Sequence, residues 1–163
     1  MEIINKLKKY FSFIIVAIFF LLLASFLFFS TENHRSKNNL QIENIKYVEI
    51  GEQKVKIDLA LSTKEHAKGL SGRKILENNT GMLFVFEKPA KYSFWMKEMN
   101  FPIDIIWINE NFEVIYIKKN AEPSSYPDTF SPDGEAKYVL EVPALFVEKN
   151  NLVIGNSAQF LSF

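Results

Sequence analysis

Five residues that lie within apolar stretches of the chain are the candidates for chemistry: Arg73, Trp95, Lys97, Asp104 and Glu141. A carboxylate inside an apolar strand is costly to bury without a partner, so we expect each of the two acids to meet a cation. Arg73 is the natural partner, because a guanidinium group can hold a carboxylate through two parallel hydrogen bonds. One interpretation is therefore a structural ion pair that fixes the segment around Arg73 to the rest of the fold.

A second interpretation is a ligand pocket formed by Arg73, Trp95 and Lys97. In an extended strand Trp95 faces away from Phe94 and Met96, so that Trp95 and Lys97 share the more exposed face. An exposed tryptophan beside a cation suits stacking on a ring together with capture of a negative charge. The pattern predicts a small anionic or sugar-like ligand, with packing of Trp95 against a neighbouring loop as an equally good explanation.

A third interpretation makes Asp104 and Glu141 the acid and base of an envelope hydrolase of the glycosidase kind. Such a pair must lie about 5–10 Å apart across an open cleft, and nothing in the sequence sets that distance. A Ser-His-Asp triad is not indicated, because no G-x-S-x-G pattern accompanies His66. We therefore assign no catalytic residue and favour a binding module over an enzyme. A structural domain that binds a protein partner through an apolar patch is the remaining alternative.

The composition argues against several classes of site. The chain of 163 residues contains no cysteine, which removes disulfides, thiolate metal sites and cysteine nucleophiles. Its two histidines, His34 and His66, lie far apart in the sequence, so a histidine-based metal site is not expected. A net charge of zero gives no support for a nucleic-acid partner. We predict no metal, no cofactor and no nucleic acid.

The first part of the chain predicts attachment to a membrane. The range Tyr10–Phe29 is apolar almost throughout, and about 20 such residues in a helix span a hydrocarbon core of roughly 30 Å. Three lysines precede it, which predicts that residues 1–9 are cytoplasmic and that the chain beyond the anchor is outside. Residues 30–41 form a polar tether. We expect a single-pass protein of the inner membrane with a periplasmic or extracellular domain at residues 42–163; a cleaved signal peptide is the alternative.

The remaining residues predict a mostly β domain. Val55, Ile57 and Leu59 alternate with charged residues, which is typical of a half-buried strand. Comparable strands recur between turn signals, and the capping-box pattern at Ser62 starts a short helix. Roughly seven or eight short strands with two or three short helices indicate a β-barrel-like fold, a rolled antiparallel sheet. Residues 120–133, which include three prolines, are the longest expected loop and a candidate rim for the pocket.

Five short motifs follow one another along this domain: KGLSGR (68–73), GMLFVF (81–86), FWMK (94–97), PIDI (102–105) and YVLEVP (138–143). In this order they resemble the family called domain of unknown function 192. The resemblance covers roughly residues 54–160 and implies a small β-barrel-like domain with short helices. Members often carry an N-terminal signal or anchor, as this chain is expected to do. The family has no settled activity, so the resemblance implies fold and location more than chemistry.

Overall fold

The computed structural model describes residues 41–162, and these form a mostly β domain, as predicted. The strands are β1 (Tyr47–Ile50), β2 (Gln53–Ala60), β3 (Thr80–Ala90), β4 (Phe94–Trp95), β5 (Ile103–Ile108), β6 (Val114–Ala121), β7 (Thr129–Phe130), β8 (Ala136–Pro143) and β9 (Ala158–Leu161). The helices are α1 (Thr63–Lys68) and α2 (Phe146–Lys149), and 3-10 turns occupy Ile42–Asn44 and Pro123–Ser125.

The predicted membrane anchor, Tyr10–Phe29, and nearly all of the tether that follows it lie outside the described residues. Within residues 41–162, no helix has the length and apolar character needed to cross a membrane.

Seven of the described strands form one sheet, in the order β6-β5-β8-β3-β2-β1-β9. The sheet is curled into a half-barrel, and its outer strands approach each other at one end, where Glu113 and Ser157 form an isolated bridge. Beside that bridge the Val114 N–H donates to the Asn156 carbonyl at 2.9 Å. The rolled sheet is therefore confirmed. It is not antiparallel throughout, because β2 and β3 run parallel and α1 lies in the connection between them.

One face of this sheet is covered by the segment that contains α1 and by a small second sheet, in which β4 pairs with β7. The contact is rich in aromatic residues. Phe94 of β4 meets the rings of Phe84 and Trp107 edge-on, with centroids 4.8 Å and 5.7 Å away. Leu70 and Met96 are each about 1 % exposed and belong to the same core. This covered face is where the candidate site lies.

Three local expectations differ from the structure. The apolar residues after the turn signal Asn150-Asn151 predict a last strand over 152–160, but residues 152–156 are irregular with a turn at 154–155, and β9 is four residues long. Pro143 suits the first position of a helix and so predicts a helix that begins there. The helix begins at Phe146 instead, because β8 continues through the proline. The loop expected over 120–133 is interrupted: β6 runs to Ala121, and β7 pairs with β4.

Candidate functional site

A cavity of about 130 Å³ lies beside α1, on the covered face of the large sheet. Its lining consists of His66–Ser71, Phe84, Phe86, Tyr92–Trp95, Met99 and Glu141. An engineered apolar cavity of ~150 Å³ is known to hold one benzene molecule. This cavity therefore has room for a small molecule or for the head group of a larger one, and not for a segment of polymer.

Two local sequence features position the helical wall of the cavity. Ser62 and Glu65 form the predicted capping box: the Ser62 hydroxyl accepts the Glu65 N–H at 3.3 Å, and the Glu65 carboxylate accepts the Ser62 N–H at 2.8 Å. Glycine is the usual residue just after a helix, so the sequence predicts a helix end at Gly69. Gly69 does end the helix, with a φ of +48° that other residues rarely adopt. The conditions for a short, fixed helix are thus present in the sequence itself.

Gly69 also keeps the floor of the cavity open. A Cβ atom at this position would lie 3.2 Å from the Phe84 ring and 3.9 Å from Glu141 Oε2. The absence of a side chain at Gly69 therefore leaves space directly in front of the Glu141 carboxyl group.

The walls of the cavity are aromatic faces. Phe86 and Tyr92 stack with their ring centroids 3.5 Å apart, and the His66 ring lies 4.5 Å from that of Phe86. His66 Nε2 donates to the Ala60 carbonyl at 2.9 Å, so this histidine is held as part of the wall. At the mouth Trp95 is 50 % exposed. Trp95 was predicted to be exposed, and this is confirmed.

Glu141 lies at the floor and is 4 % exposed. Its Oε2 atom is buried and has no hydrogen-bond partner among the described residues. Burial raises the pKa of Glu141 to about 8, although the nearby positive charge of Arg73 lowers it in part. At neutral pH the group is therefore mostly a protonated carboxylic acid, whose O–H is available to donate.

Arg73 does not hold either buried acid through a hydrogen bond in the described part of the chain, so the predicted ion pair is wrong. Its Nη2 atom pairs with Asp58 Oδ2 at 2.8 Å instead, in a partly exposed salt bridge. Arg73 lines a second, more open cavity of about 520 Å³, which shares Lys68, Gly69 and Ser71 with the first. The positive charge of Arg73 therefore acts on Glu141 electrostatically, without a hydrogen bond between them.

Asp104 is fully buried and lies elsewhere. Its Oδ1 accepts the Asn120 N–H and its Oδ2 accepts the Val147 N–H, both at 2.8 Å. Two backbone donors thus satisfy a charge that was expected to need a cation. Asp104 ties the end of β6 to α2, which is a structural role.

The two acids are on opposite faces of the sheet. In the pairing of β5 with β8, Ile105 lies across from Glu141, whereas Asp104 lies across from Val142. Residues that lie directly across from each other share a face, and consecutive residues alternate. The side chains of Asp104 and Glu141 therefore do not meet across one cleft.

Comparison with known proteins identifies the family. The profile of DUF192, described as an uncharacterized family, matches residues 46–160. The chain belongs to the DUF192 family. No curated protein matches the chain.

Two solved structures resemble this DUF192 chain. A protein of unknown function from Novosphingobium aromaticivorans DSM 12444 is 27 % identical, with a TM-score of 0.67 over 71 % of this chain and 84 % of that one. A candidate transcription regulator from Sinorhizobium meliloti 1021 is 24 % identical, with a TM-score of 0.66 over 70 % of this chain and 92 % of that one. The second likeness bears on the fold alone.

Of the five residues singled out in the sequence, the cavity of this DUF192 domain brings together Trp95 and Glu141. Lys97 is exposed but is not part of its lining. The walls of the cavity, formed by His66, Phe86 and Tyr92, were not predicted from the sequence. The available signal was the density of aromatic residues between positions 84 and 95, where five of the twelve residues are Phe, Tyr or Trp.

Proposed function

We propose that this protein is a membrane-anchored binding protein of the cell envelope, which takes a small ligand into the cavity above Glu141. One observation carries the proposal: a buried carboxyl oxygen without a partner forms the floor of an aromatic cavity. A buried polar atom that lacks a hydrogen bond costs about 1–3 kcal/mol. A ligand that supplies the missing hydrogen bond recovers that cost, so binding at this site is favoured.

The charges around the cavity argue against the anionic ligand suggested by the sequence. Arg73 is engaged by Asp58, and Lys97 lies outside the lining. Lys68 does line the cavity, but it is exposed to solvent, whereas Glu141 is buried at the floor. An anion would meet the carboxyl group of Glu141 and the electron-rich faces of the rings. The ligand group that enters is therefore neutral or positively charged. A sugar-like ring remains compatible with the exposed ring of Trp95, which meets that of the half-exposed Tyr126 edge-to-face, with centroids 6.3 Å apart.

The proposed location depends on the sequence before the domain. The apolar range Tyr10–Phe29 and the lysines before it support a single-pass anchor with the domain on the periplasmic or outer side. A hydrolase that uses Asp104 with Glu141 is not proposed, because the two side chains lie on opposite faces of the sheet.

We expect a ligand to raise the melting temperature of the full chain, because it binds the folded state only. A panel of sugars, alcohols, amines and organic acids serves as the set of probes. A compound present at 100 times its Kd adds about 2.7 kcal/mol to the free energy of unfolding. Thermal unfolding, followed with and without each compound, measures the effect.

A matched pair of variants locates the site in this experiment. Ser93 is exposed and lines the cavity, so Ser93→Phe should fill its mouth and abolish the shift. Ser124 is also exposed but is not part of the lining, so Ser124→Phe should leave the shift unchanged. The proposal fails if no compound shifts the melting temperature, or if a shift persists in Ser93→Phe.

A further inference from the structure

The cavity above Glu141 combines two features that recognise positive charge. Its walls present the rings of Phe84, Phe86, Tyr92, Phe94 and Trp95. The face of an aromatic ring carries negative potential and attracts an ammonium group that lies over it. The floor supplies a carboxyl group that is 4 % exposed and has an unpartnered oxygen.

We propose that the group bound in this cavity is a primary alkylammonium, which donates to the Glu141 carboxylate while its alkyl stem lies against the aromatic walls. The inference rests on the proposed function, since it names the class of ligand for the same site. The cavity volume of about 130 Å³ suits an ammonium group with a short alkyl stem.

No charged group near Glu141 in the described residues already serves as its hydrogen-bond partner, so a ligand can fill that role. Arg73, after α1, is held by Asp58 at 2.8 Å. On α1, His66 donates to a backbone carbonyl, and Lys68 lines the cavity while its side chain remains exposed. Tyr92, after β3, is the remaining titratable group of the lining. None of these groups donates a hydrogen bond to Glu141 within the described residues.

Binding of this kind is coupled to release of a proton. In the free protein the pKa of Glu141 is about 8, so at lower pH the carboxyl group must give its proton to the solvent before it pairs with the ammonium. Affinity for an ammonium should therefore rise about tenfold for each pH unit up to pH 8 and then level off. A neutral hydrogen-bond acceptor would show the opposite trend, because it needs the protonated acid.

The test is calorimetric titration of the full chain with butylammonium, 1-butanol and butyrate at pH 6, 7, 8 and 9. Butylammonium and 1-butanol have the same number of non-hydrogen atoms and differ in charge. We expect butylammonium to bind at least tenfold more tightly than 1-butanol at pH 8, with the pH profile described above, and butyrate not to bind. The variant Glu141→Gln should lose both the tenfold preference and the pH dependence.

A second variant covers the case in which Glu141→Gln does not fold. Phe86 is partly exposed, and Phe86→Leu keeps an apolar wall but removes its π face. This change should weaken butylammonium several-fold more than it weakens 1-butanol, because only the charged group gains from the π face. A further probe, Nα-acetyl-lysine methylamide, separates two sources of the same group: tighter binding than butylammonium indicates a lysine side chain, and weaker binding indicates a free amine. Both results support an ammonium ligand.

Failure of this inference is distinguishable from failure of the proposed function. If 1-butanol binds as tightly as butylammonium, or if affinity for butylammonium does not rise between pH 6 and 8, the ammonium assignment is overturned and the cavity remains a binding site. If another class of compound from the thermal panel binds and butylammonium does not, the ammonium assignment is likewise overturned and the cavity remains a binding site. If no compound binds at all, both proposals fall.

Discussion

Replacing Glu141 with glutamine should remove most of the pH dependence of the domain's stability between pH 5 and pH 8. The folded state keeps a proton on Glu141 up to a pKa of about 8, because burial disfavours the charged form, whereas an ordinary glutamate loses it near 4.5. The folded-state pKa is raised, so the stabilising contribution is complete below pH 4.5 and is lost as the pH rises through 8. At about 1.4 kcal/mol per pH unit, the loss is on the order of 5 kcal/mol.

Urea unfolding of the full chain, followed by tryptophan fluorescence, measures this effect. Both tryptophans of the chain, Trp95 and Trp107, lie in the described domain, so the signal reports on its unfolding. The wild-type protein should be several kcal/mol less stable at pH 8 than at pH 5. Glutamine keeps the shape of the side chain and has no charge to bury, so Glu141→Gln should be more stable than the wild type above pH 8.

A control separates this carboxyl group from the others in the domain. Glu135 is exposed, so Glu135→Gln should retain the pH dependence of the wild type. Equal stability of the wild-type protein at pH 5 and pH 8 would contradict the argument. The same slope in Glu141→Gln and in the wild type would also contradict it, because another group would then carry the pH dependence.

Replacing Asp104 with alanine should lower the free energy of unfolding by about 4 kcal/mol. The carboxylate accepts the N–H groups of Asn120 and Val147, each at 2.8 Å, and it is fully buried. A buried donor that loses its acceptor costs about 1–3 kcal/mol, and bonds to a charged group are the stronger ones. Two such losses at one point disconnect α2 from the end of β6.

Asp58 is the matched control for this prediction. It is also an aspartate with one close partner, but its salt bridge to Arg73 is solvent-exposed, with 61 % of the Asp58 side chain accessible. Exposed ion pairs contribute about 0–1 kcal/mol, so Asp58→Ala should be nearly neutral. Urea unfolding of the two variants measures the difference. Similar losses for Asp58→Ala and Asp104→Ala would contradict the assignment of Asp104 as the buried link.

Much of the fold follows from local sequence patterns. The alternation in β2 predicts a strand, and the turn signal Asn109-Glu110-Asn111 predicts a hairpin between its flanking segments. The structure contains β2 and the antiparallel pair of β5 and β6. The capping box at Ser62 and the helix end at Gly69 are where the sequence places them. These features depend on neighbouring residues and on backbone conformations that particular residue types favour, so a single sequence suffices to find them.

The site could be predicted only in part, because its partners are distant in sequence. Asp104 was expected to need a cation, yet it is satisfied by backbone N–H groups, one of them 43 residues away. Such donors carry no signal in the sequence, because every residue except proline has one. Arg73 forms its salt bridge with the exposed Asp58 and not with the buried Asp104 or Glu141. The partner of Arg73 depends on how β2 packs against the segment after α1, and local sequence patterns do not specify that packing.

The separation of the two acids likewise depends on strand register. A shift of one residue in the pairing of β5 with β8 would alter which residues lie across from Glu141. The register therefore decides that Glu141 faces the aromatic cavity while Asp104 faces α2. The register also determines whether the cavity contains one acid, as in a binding site, or two, as in a catalytic pair. Neither strand's sequence alone reveals that register.

Amide chemical-shift mapping tests the central claim most directly, which is that the cavity above Glu141 binds a small ligand. The full chain, labelled with nitrogen-15, is titrated with each compound that raises its melting temperature. The largest shifts should fall in His66–Ser71, Phe84–Phe86 and Tyr92–Trp95, and they should vanish in Ser93→Phe. Largest shifts around the separate cavity between Asn79 and Phe146, or no saturable shifts at all, would contradict it.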